Sequence, residues 1–158
     1  MIRVAILTVS DSCSRGERDD LSGRIIEEIL PEDRFQVCAR RIVPDDQDAI
    51  ARELVDFADV AGVDVVLTTG GTGLGPRDVT PEATGAVCDR IVPGISETMR
   101  AQGLAKTPYA ILSRGTAGIR NNTLVINLPG SPKGVRECLE IVLKVVPHAV
   151  DMMRGGGH

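Results

Sequence analysis

A glycine-rich stretch at positions 63–82 contains the residue types that bind phosphate. It opens as a short apolar, β-branched run, continues into a loop with four glycines within six residues, and ends in a helix start, with Thr80 as N-cap and Pro81 as first helical residue. The four glycines are Gly70, Gly71, Gly73 and Gly75. Glycines allow backbone N–H groups to approach a phosphate closely, and a helix N-terminus adds positive potential. The stretch therefore predicts an anion site.

Two well-known phosphate-binding patterns do not fit this loop. A Walker A loop has Lys and then Ser or Thr directly after its last glycine, whereas Pro76 and Arg77 follow Gly75. The dinucleotide-binding fingerprint requires a small residue three positions after Gly73, and that position is Pro76. The loop is therefore a phosphate site of another kind.

Two aspartates are candidates for work beside this loop. Asp78 follows it directly, and a carboxylate there repels a bound phosphate unless a cation such as Mg²⁺ lies between them. The alternative is that Asp78 caps a turn, and the residue pattern alone leaves both interpretations open. Asp45 follows Pro44, and for this residue the pattern by itself favours turn chemistry over metal binding.

Composition limits the classes of function. The chain has 158 residues, 42% of them hydrophobic and 25% charged, which is typical of one globular domain. Aromatic residues make up only 2% and the net charge is −4, so neither base stacking nor duplex DNA binding is expected. No apolar run approaches the length of a membrane span, and the chain starts in a strand rather than a signal peptide. We therefore expect a cytoplasmic protein that binds neither nucleic acid nor membrane.

Strands alternate with helices along the sequence. Strands are predicted at 2–9, 35–43, 63–68, 110–114 and 123–128. Helices are predicted at 21–30, at 47–61 with Asp46 as N-cap, at 81–90, around 95–104, and at 135–146 after a Ser131 N-cap. This order predicts a doubly wound, three-layer α/β domain with a mostly parallel central sheet, occupying residues 1–153 and followed by a flexible tail at 154–158.

Polar loops follow most of the predicted strands. They contain Ser10-Asp11, Pro44-Asp45, the 69–78 loop, Ser113-Arg114 and the 129–133 loop. Because ligands bind at the carboxyl ends of strands in open α/β sheets, several of these loops should converge on one pocket. Lys133 lies in a first helical turn, where it opposes the helix dipole unless an anion is nearby. The sequence thus predicts a pocket for a phosphorylated ligand with Mg²⁺.

Several motifs of this chain resemble those of a known family. The motifs are Thr68-Thr-Gly-Gly-Thr-Gly73, Arg77-Asp-Val-Thr-Pro81 and Leu128-Pro-Gly-Ser-Pro-Lys133, supported by positions 4–11, Pro44-Asp45 and Ile111-Leu-Ser-Arg114. Together they resemble the Mog/MoaB family of molybdenum cofactor biosynthesis, whose fold also occurs in the G domain of gephyrin. The resemblance covers essentially the whole chain, and within the family it is nearest to the molybdopterin adenylyltransferases.

The resemblance implies a reaction and a set of site residues. In that reaction AMP passes from Mg-ATP to the terminal phosphate of molybdopterin, and pyrophosphate is released. The family's two essential aspartates, associated with Mg²⁺ and ATP, match Asp45 and Asp78, so the resemblance reverses the turn interpretation of Asp45. The predicted substrate-binding residues are Ser10, Asp11, Thr69, Gly70, Gly71, Thr72, Gly73, Ser113, Arg114, Pro129, Gly130, Ser131 and Lys133. Among these, the 70–73 loop would hold phosphate, and Ser113, Arg114 and the 129–133 loop would line the pterin side.

The resemblance also implies partners and alternatives. Family members are commonly homotrimers, and the product could be handed to a molybdenum insertion protein. One alternative is a non-catalytic molybdopterin-binding protein of the MoaB type. A second is a nucleotide enzyme of different substrate on the same fold.

Overall fold

Apolar, β-branched runs form one central sheet in the computed structural model, which describes residues 1–157. The strands are β1 (Ile2–Val9), β2 (Phe35–Val43), β3 (Val65–Thr69), β4 (Arg90–Ile91), β5 (Ala117–Arg120) and β6 (Thr123–Leu128). Their order across the sheet is β2-β1-β3-β6-β5-β4. Strands β2, β1, β3 and β6 are parallel to one another, whereas β5 and β4 are antiparallel to their neighbours. The predicted mostly parallel sheet is confirmed.

Helices cover both faces of the sheet. They are α1 (Asp11–Ser14), α2 (Leu21–Ile29), α3 (Gln47–Val55), α4 (Thr80–Val87), α5 (Pro93–Leu104), α6 (Pro132–Val142) and α7 (Val146–Met153). A π-helical turn, Asp56–Val60, extends α3, and a 3₁₀ helix, Pro108–Leu112, follows α5. Asp46 and Ser131 cap α3 and α6 as predicted, because their side chains accept the N–H groups of Ala49 (2.8 Å) and Gly134 (3.0 Å). Within residues 1–157, no helix has the length and apolar character needed to cross a membrane.

Alternate residues of β1 enter two separate hydrophobic cores. Val4 and Ile6 pack in one core with Leu139 of α6, while Ala5 and Leu7 pack in the other with residues of α3 and the π-helical turn. Both sets are fully buried, as expected for a strand at the centre of a parallel sheet. The two cores make this the predicted doubly wound, three-layer architecture.

Three predicted elements are wrong in position. The segment 110–114 is not a strand, because Thr107 caps a 3₁₀ helix there and the apolar Ile111 remains 62% exposed; the strand is β5, further along the chain. Thr80 lies inside α4 rather than capping it, since its hydroxyl donates to the Gly70 carbonyl at 2.9 Å. The predicted closing helix at 135–146 divides into α6 and α7. Of the predicted tail, Arg154 forms an ion pair with Asp64 at 2.7 Å, and His158 lies outside the described residues.

A buried carboxylate attaches the start of α2 to the end of β1. Asp20 is only 7% exposed and accepts hydrogen bonds from the Thr8 hydroxyl (2.8 Å) and the Gly23 N–H (2.9 Å). Gly23 leaves room for this carboxylate, because a Cβ at that position would lie 2.2 Å from Asp20 Oδ2. The residue type at position 23 is therefore fixed by the carboxylate beside it.

This packing predicts opposite effects of one substitution at two helical glycines. Gly23→Ala should lower the free energy of unfolding by about 1–3 kcal/mol, because the new methyl group displaces a buried, hydrogen-bonded carboxylate. Gly85→Ala in α4 meets no atom within 4 Å. It should raise the free energy of unfolding by about 0.5–1 kcal/mol, because alanine is the better helix former. Urea denaturation of both variants measures this; equal effects would contradict the role given to Asp20.

Candidate functional site

The carboxyl ends of β1, β3 and β6 meet without intervening side chains. Gly70 follows β3 with a φ of 98°, and a Cβ there would lie 2.2 Å from the Val9 carbonyl oxygen of β1. A Cβ on Gly130, which follows β6, would lie 3.3 Å from the Gly70 Cα. The Thr69 hydroxyl donates to the Pro129 carbonyl at 2.7 Å and fixes the two loops side by side. Gly70 is required by geometry, because any side chain would clash with the Val9 carbonyl and would be strained at this φ, whereas a Cβ on Gly130 would only make a tight contact.

Two pockets open on either side of the 129–131 segment. One, the β1–α2 pocket, has a volume of about 370 Å³. Its walls contain the predicted residues Ser10, Thr69, Gly70, Gly130 and Ser131. The other, the α5–α6 pocket, also has a volume of about 370 Å³, and its walls contain the predicted residues Ser113, Pro129 and Ser131. Ser131 lines both pockets, so seven of the predicted substrate-binding residues line one pocket or the other.

Asp11 and Asp45 hold each other in place. The Asp11 N–H donates to Asp45 Oδ2 and the Asp45 N–H donates to Asp11 Oδ1, both at 3.0 Å. Arg77, from the far end of the glycine loop, adds a two-point contact, because its Nε and Nη2 donate to the two Asp11 oxygens at 2.9 Å each. The predicted substrate contact Asp11 is thus bonded within the protein, and it links β1, the Asp45 corner and the glycine loop.

The two aspartates have opposite pKa shifts. Hydrogen bonds from the Arg77 side chain, and then from the Asp45 backbone, lower the pKa of Asp11 to about 2. Burial raises the pKa of Asp45, and the negative charges of Asp11 and Asp78 act in the same direction, against the hydrogen bond from Asp11. Asp45 is therefore the carboxylate whose charge gains most from a nearby cation.

Asp78 is held against the glycine loop. Its Oδ2 accepts the Gly75 N–H at 2.9 Å, and a Cβ on Gly73 would lie 2.8 Å from the same oxygen. A Cβ on Gly71 would lie 3.3 Å from Asp45 Oδ1, so the loop also borders the second aspartate. Both predicted catalytic carboxylates thus flank the loop that is predicted to hold phosphate.

Arg114 braces the glycine loop. Its Nε donates to the Gly73 carbonyl at 2.8 Å and its Nη2 to the Asp78 carbonyl at 2.7 Å, while its backbone N–H donates to the Thr72 carbonyl at 2.8 Å. The guanidinium also forms an ion pair with Glu82 of α4. Sequence reasoning predicted Arg114 as a substrate contact, whereas these bonds direct its charge to the loop backbone.

A buried polar network supports the loop from behind. Asn127 Nδ2 donates to the hydroxyls of Thr68 and Thr84, each at 3.0 Å, and Thr84 donates to the Thr80 carbonyl at 2.9 Å. Thr80 in turn bonds Gly70. Sequence reasoning missed this network, although Asn127 is a polar residue within the apolar run 124–128 of β6, which is a visible signal of a bonded core amide.

Lys133 lies away from this cluster. Its side chain is 84% exposed, and its Nζ is 3.9 Å from Glu137 Oε1, one helical turn further along α6. Among residues 1–157, no partner lies at hydrogen-bond distance from the Lys133 ammonium, which is therefore accessible to a ligand. Its predicted role as an anion contact stays a prediction.

Asp45 and Asp78 alone would give a divalent ion such as Mg²⁺ few protein ligands, so the ion would bind more tightly together with a phosphate ligand. Among residues 1–157 no group of three or more metal-binding side chains comes together. Mg²⁺ commonly binds through one or two carboxylates and takes its other ligands from water and substrate phosphates. Asp45 and Asp78, on either side of a glycine loop, match that pattern, so the site suits a metal that arrives with a nucleotide.

Comparison with curated proteins finds close relatives. Molybdopterin adenylyltransferase of Helicobacter pylori is 47% identical over 156 residues, which is 98% of this chain and 89% of the relative. Molybdopterin adenylyltransferase of Escherichia coli is 42% identical over 142 residues, covering 88% of this chain and 72% of the relative.

Solved structures and a family pattern agree with these relatives. The structure of the molybdopterin biosynthesis enzyme MoaB from Thermus thermophilus matches with a TM-score of 0.93 and 55% identity, over 98% of both chains. Residues 5–148 match the family described as a probable molybdopterin binding domain. The fold class and the Mog/MoaB resemblance are thereby confirmed, and this chain is a member of the probable molybdopterin binding domain family.

Proposed function

We propose that this chain is a molybdopterin adenylyltransferase, which transfers AMP from Mg-ATP to the terminal phosphate of molybdopterin and releases pyrophosphate. The observation that carries the proposal is a phosphate-binding type of glycine loop with the carboxylates of Asp45 and Asp78 on either side. The names of the relatives, at 42–47% identity over most of the chain, support the same activity.

The reaction needs positioning and charge neutralisation more than proton transfer. An oxygen of the pterin phosphate attacks the α-phosphorus of ATP, a new P–O bond forms, and the bond from the α-phosphorus to the bridging oxygen breaks. Pyrophosphate leaves with the electron pair. The attacking phosphate is already an anion at neutral pH, so no side chain has to remove a proton. Mg²⁺, when bound, supplies positive charge between phosphates that otherwise repel each other.

We assign the two ends of the substrate pair to different parts of the site. The α5–α6 pocket has apolar walls from Met99, Ala110 and Ile141, which suit a flat ring such as a pterin. Its lining also includes Ser113 and Ser131, and Ser131 lines the β1–α2 pocket as well. The glycine loop, with its backbone N–H groups, would hold the phosphates, and Asp45 and Asp78 would hold the metal between them.

The proposal includes an assembly and a cellular setting. We propose a homotrimer in the cytoplasm that hands its product to a molybdenum insertion protein. A subunit contact through α5 and the adjoining 3₁₀ helix would remove three exposed apolar side chains from water. They are Leu104, Tyr109 and Ile111.

A second candidate is a molybdopterin carrier without transferase activity. The Thermus structure that is 55% identical to this chain is named as the molybdopterin biosynthesis enzyme MoaB, a name that does not specify a transferase reaction. The two carboxylates beside the glycine loop argue against a carrier, because without a metal they would weaken the binding of a phosphate ligand. A nucleotide enzyme of different substrate would keep the loop but would not require the pterin.

Pyrophosphate release by the purified protein distinguishes these functions. Release from Mg-ATP that requires molybdopterin supports the transferase. Tight pterin binding without release would establish the carrier instead. Release of equal rate without pterin would show that the protein acts on another substrate.

Asp45→Asn and Asp78→Asn should each lower pyrophosphate release at least about 100-fold, because each removes a metal-binding charge from the reacting phosphates. Thermal unfolding should show that both variants remain folded. Asp151→Asn, an exposed aspartate on α7, is the matched control and should keep wild-type activity. Near-normal release by both site variants would remove the metal-site argument.

Arg114→Lys should lower kcat/KM about 10- to 100-fold, because lysine keeps the charge but cannot brace both loop carbonyls, so the phosphate site loses its shape. Glu82→Gln removes the ion pair and leaves the carbonyl contacts of Arg114 intact. Its loss of activity should be smaller. Equal losses in steady-state kinetics would assign the effect to the ion pair rather than to the loop.

A further inference from the structure

Arg77 directly contacts the aspartate cluster of Asp11, Asp45 and Asp78. The reaction proposed above assigns no role to this arginine. It lies between the glycine loop and Asp78, and its side chain is 62% exposed. Both guanidinium contacts go to Asp11, at 2.9 Å. The contact joins residues 66 positions apart, so it closes the glycine loop against the end of β1.

Its partner is not an ordinary surface carboxylate. Asp11 is bonded in both directions to Asp45, so the guanidinium charge acts on a ring of two aspartates. The charges of Asp78 and Arg77 both act on Asp45, which places all of these groups within electrostatic range of one another. In the absence of a metal, Arg77 is the main group that offsets the mutual repulsion of this cluster, with a smaller contribution from the charge of Arg15 on Asp11.

We propose that Arg77 is a positioning residue with two alternative partners. Without ligand it is the counter-ion of the Asp11–Asp45 pair. When the metal–nucleotide complex binds, its guanidinium leaves this pair and contacts the phosphate oxygens of the nucleotide. This inference rests on the proposed function, because it names the ligand as a nucleoside triphosphate. A guanidinium forms the same two-point contact with a phosphate as with a carboxylate. The exposed side chain is free to turn from one to the other.

The exchange has a signature that a purely structural contact lacks. A guanidinium bonded to Asp11 repels a metal ion approaching Asp45, so removing it should strengthen the binding of the metal alone. The same guanidinium attracts a polyphosphate, so removing it should weaken the binding of the metal–nucleotide complex. The two affinities should therefore change in opposite directions.

Two titrations of the purified full-length protein test this. Mn²⁺ alone, measured by the loss of its free electron paramagnetic resonance signal, should bind Arg77→Gln about 3-fold more tightly than wild type. The complex of Mg²⁺ with α,β-methylene-ATP, measured by calorimetry, should bind Arg77→Gln about 10-fold more weakly. Arg154→Gln is the matched control, because it removes an arginine from an exposed ion pair with Asp64, and it should change neither affinity.

A parallel loss of both affinities in Arg77→Gln would overturn the proposal and leave Arg77 as a support of the Asp11–Asp45 ring. Unchanged Mn²⁺ affinity would also overturn it. Arg77→Lys covers the case in which the glutamine variant unfolds: it should bind Mn²⁺ like wild type and the nucleotide complex more weakly. Because the Mn²⁺ titration contains no nucleotide, it stays decisive even if the wild-type protein fails to bind the analogue, a failure that would contradict the proposed function instead.

Discussion

The site depends on the close approach of three strand ends at Gly70. The φ of 98° at this residue and the absence of a Cβ allow the main chain of β3 to touch the Val9 carbonyl of β1. Gly130, after β6, closes against the other side. At Gly70 and Gly130 the loops that follow β1, β3 and β6 therefore approach one another through their backbones. This close backbone packing fixes the positions from which the surrounding polar side chains form their hydrogen bonds.

Charge is distributed around this frame in a consistent way. Three aspartates, Asp11, Asp45 and Asp78, lie at the edge of a loop suited to anions, an arrangement that is unfavourable without cations. Two arginines near this negative charge have different contacts. Arg77 binds a carboxylate directly, whereas Arg114 binds loop carbonyls and the remote Glu82. One arginine thus balances charge and the other maintains shape, so loss of either should affect the same loop for different physical reasons.

Local patterns predicted the fold well wherever burial decides structure. The bounds of β1 and β6 follow from their buried, largely apolar runs, and β2 was also predicted correctly although most of its residues are not fully buried. Prediction failed at 110–114, because Ile111 is apolar but exposed, and at Thr80, because its hydroxyl bonds Gly70 rather than a helix N–H. The site shows the same division. The glycine loop is visible in the sequence, but the bonds of Asp45 to a residue 34 positions away are not.

The residues that line the two pockets agree with a proposed chemistry that needs no strong base. The β1–α2 and α5–α6 pockets share Ser131, the N-cap of α6, and Gly70 of the glycine loop lines the first of them. Within residues 1–157, neither pocket wall contains a histidine, and His148 lies on α7. Two phosphate ligands bound side by side at this site would repel each other because both are anions. This repulsion, and not the removal of a proton, is the obstacle to their reaction. The groups that matter for their reaction are those that fix positions and neutralise charge, and these are the groups the fold places at the loop.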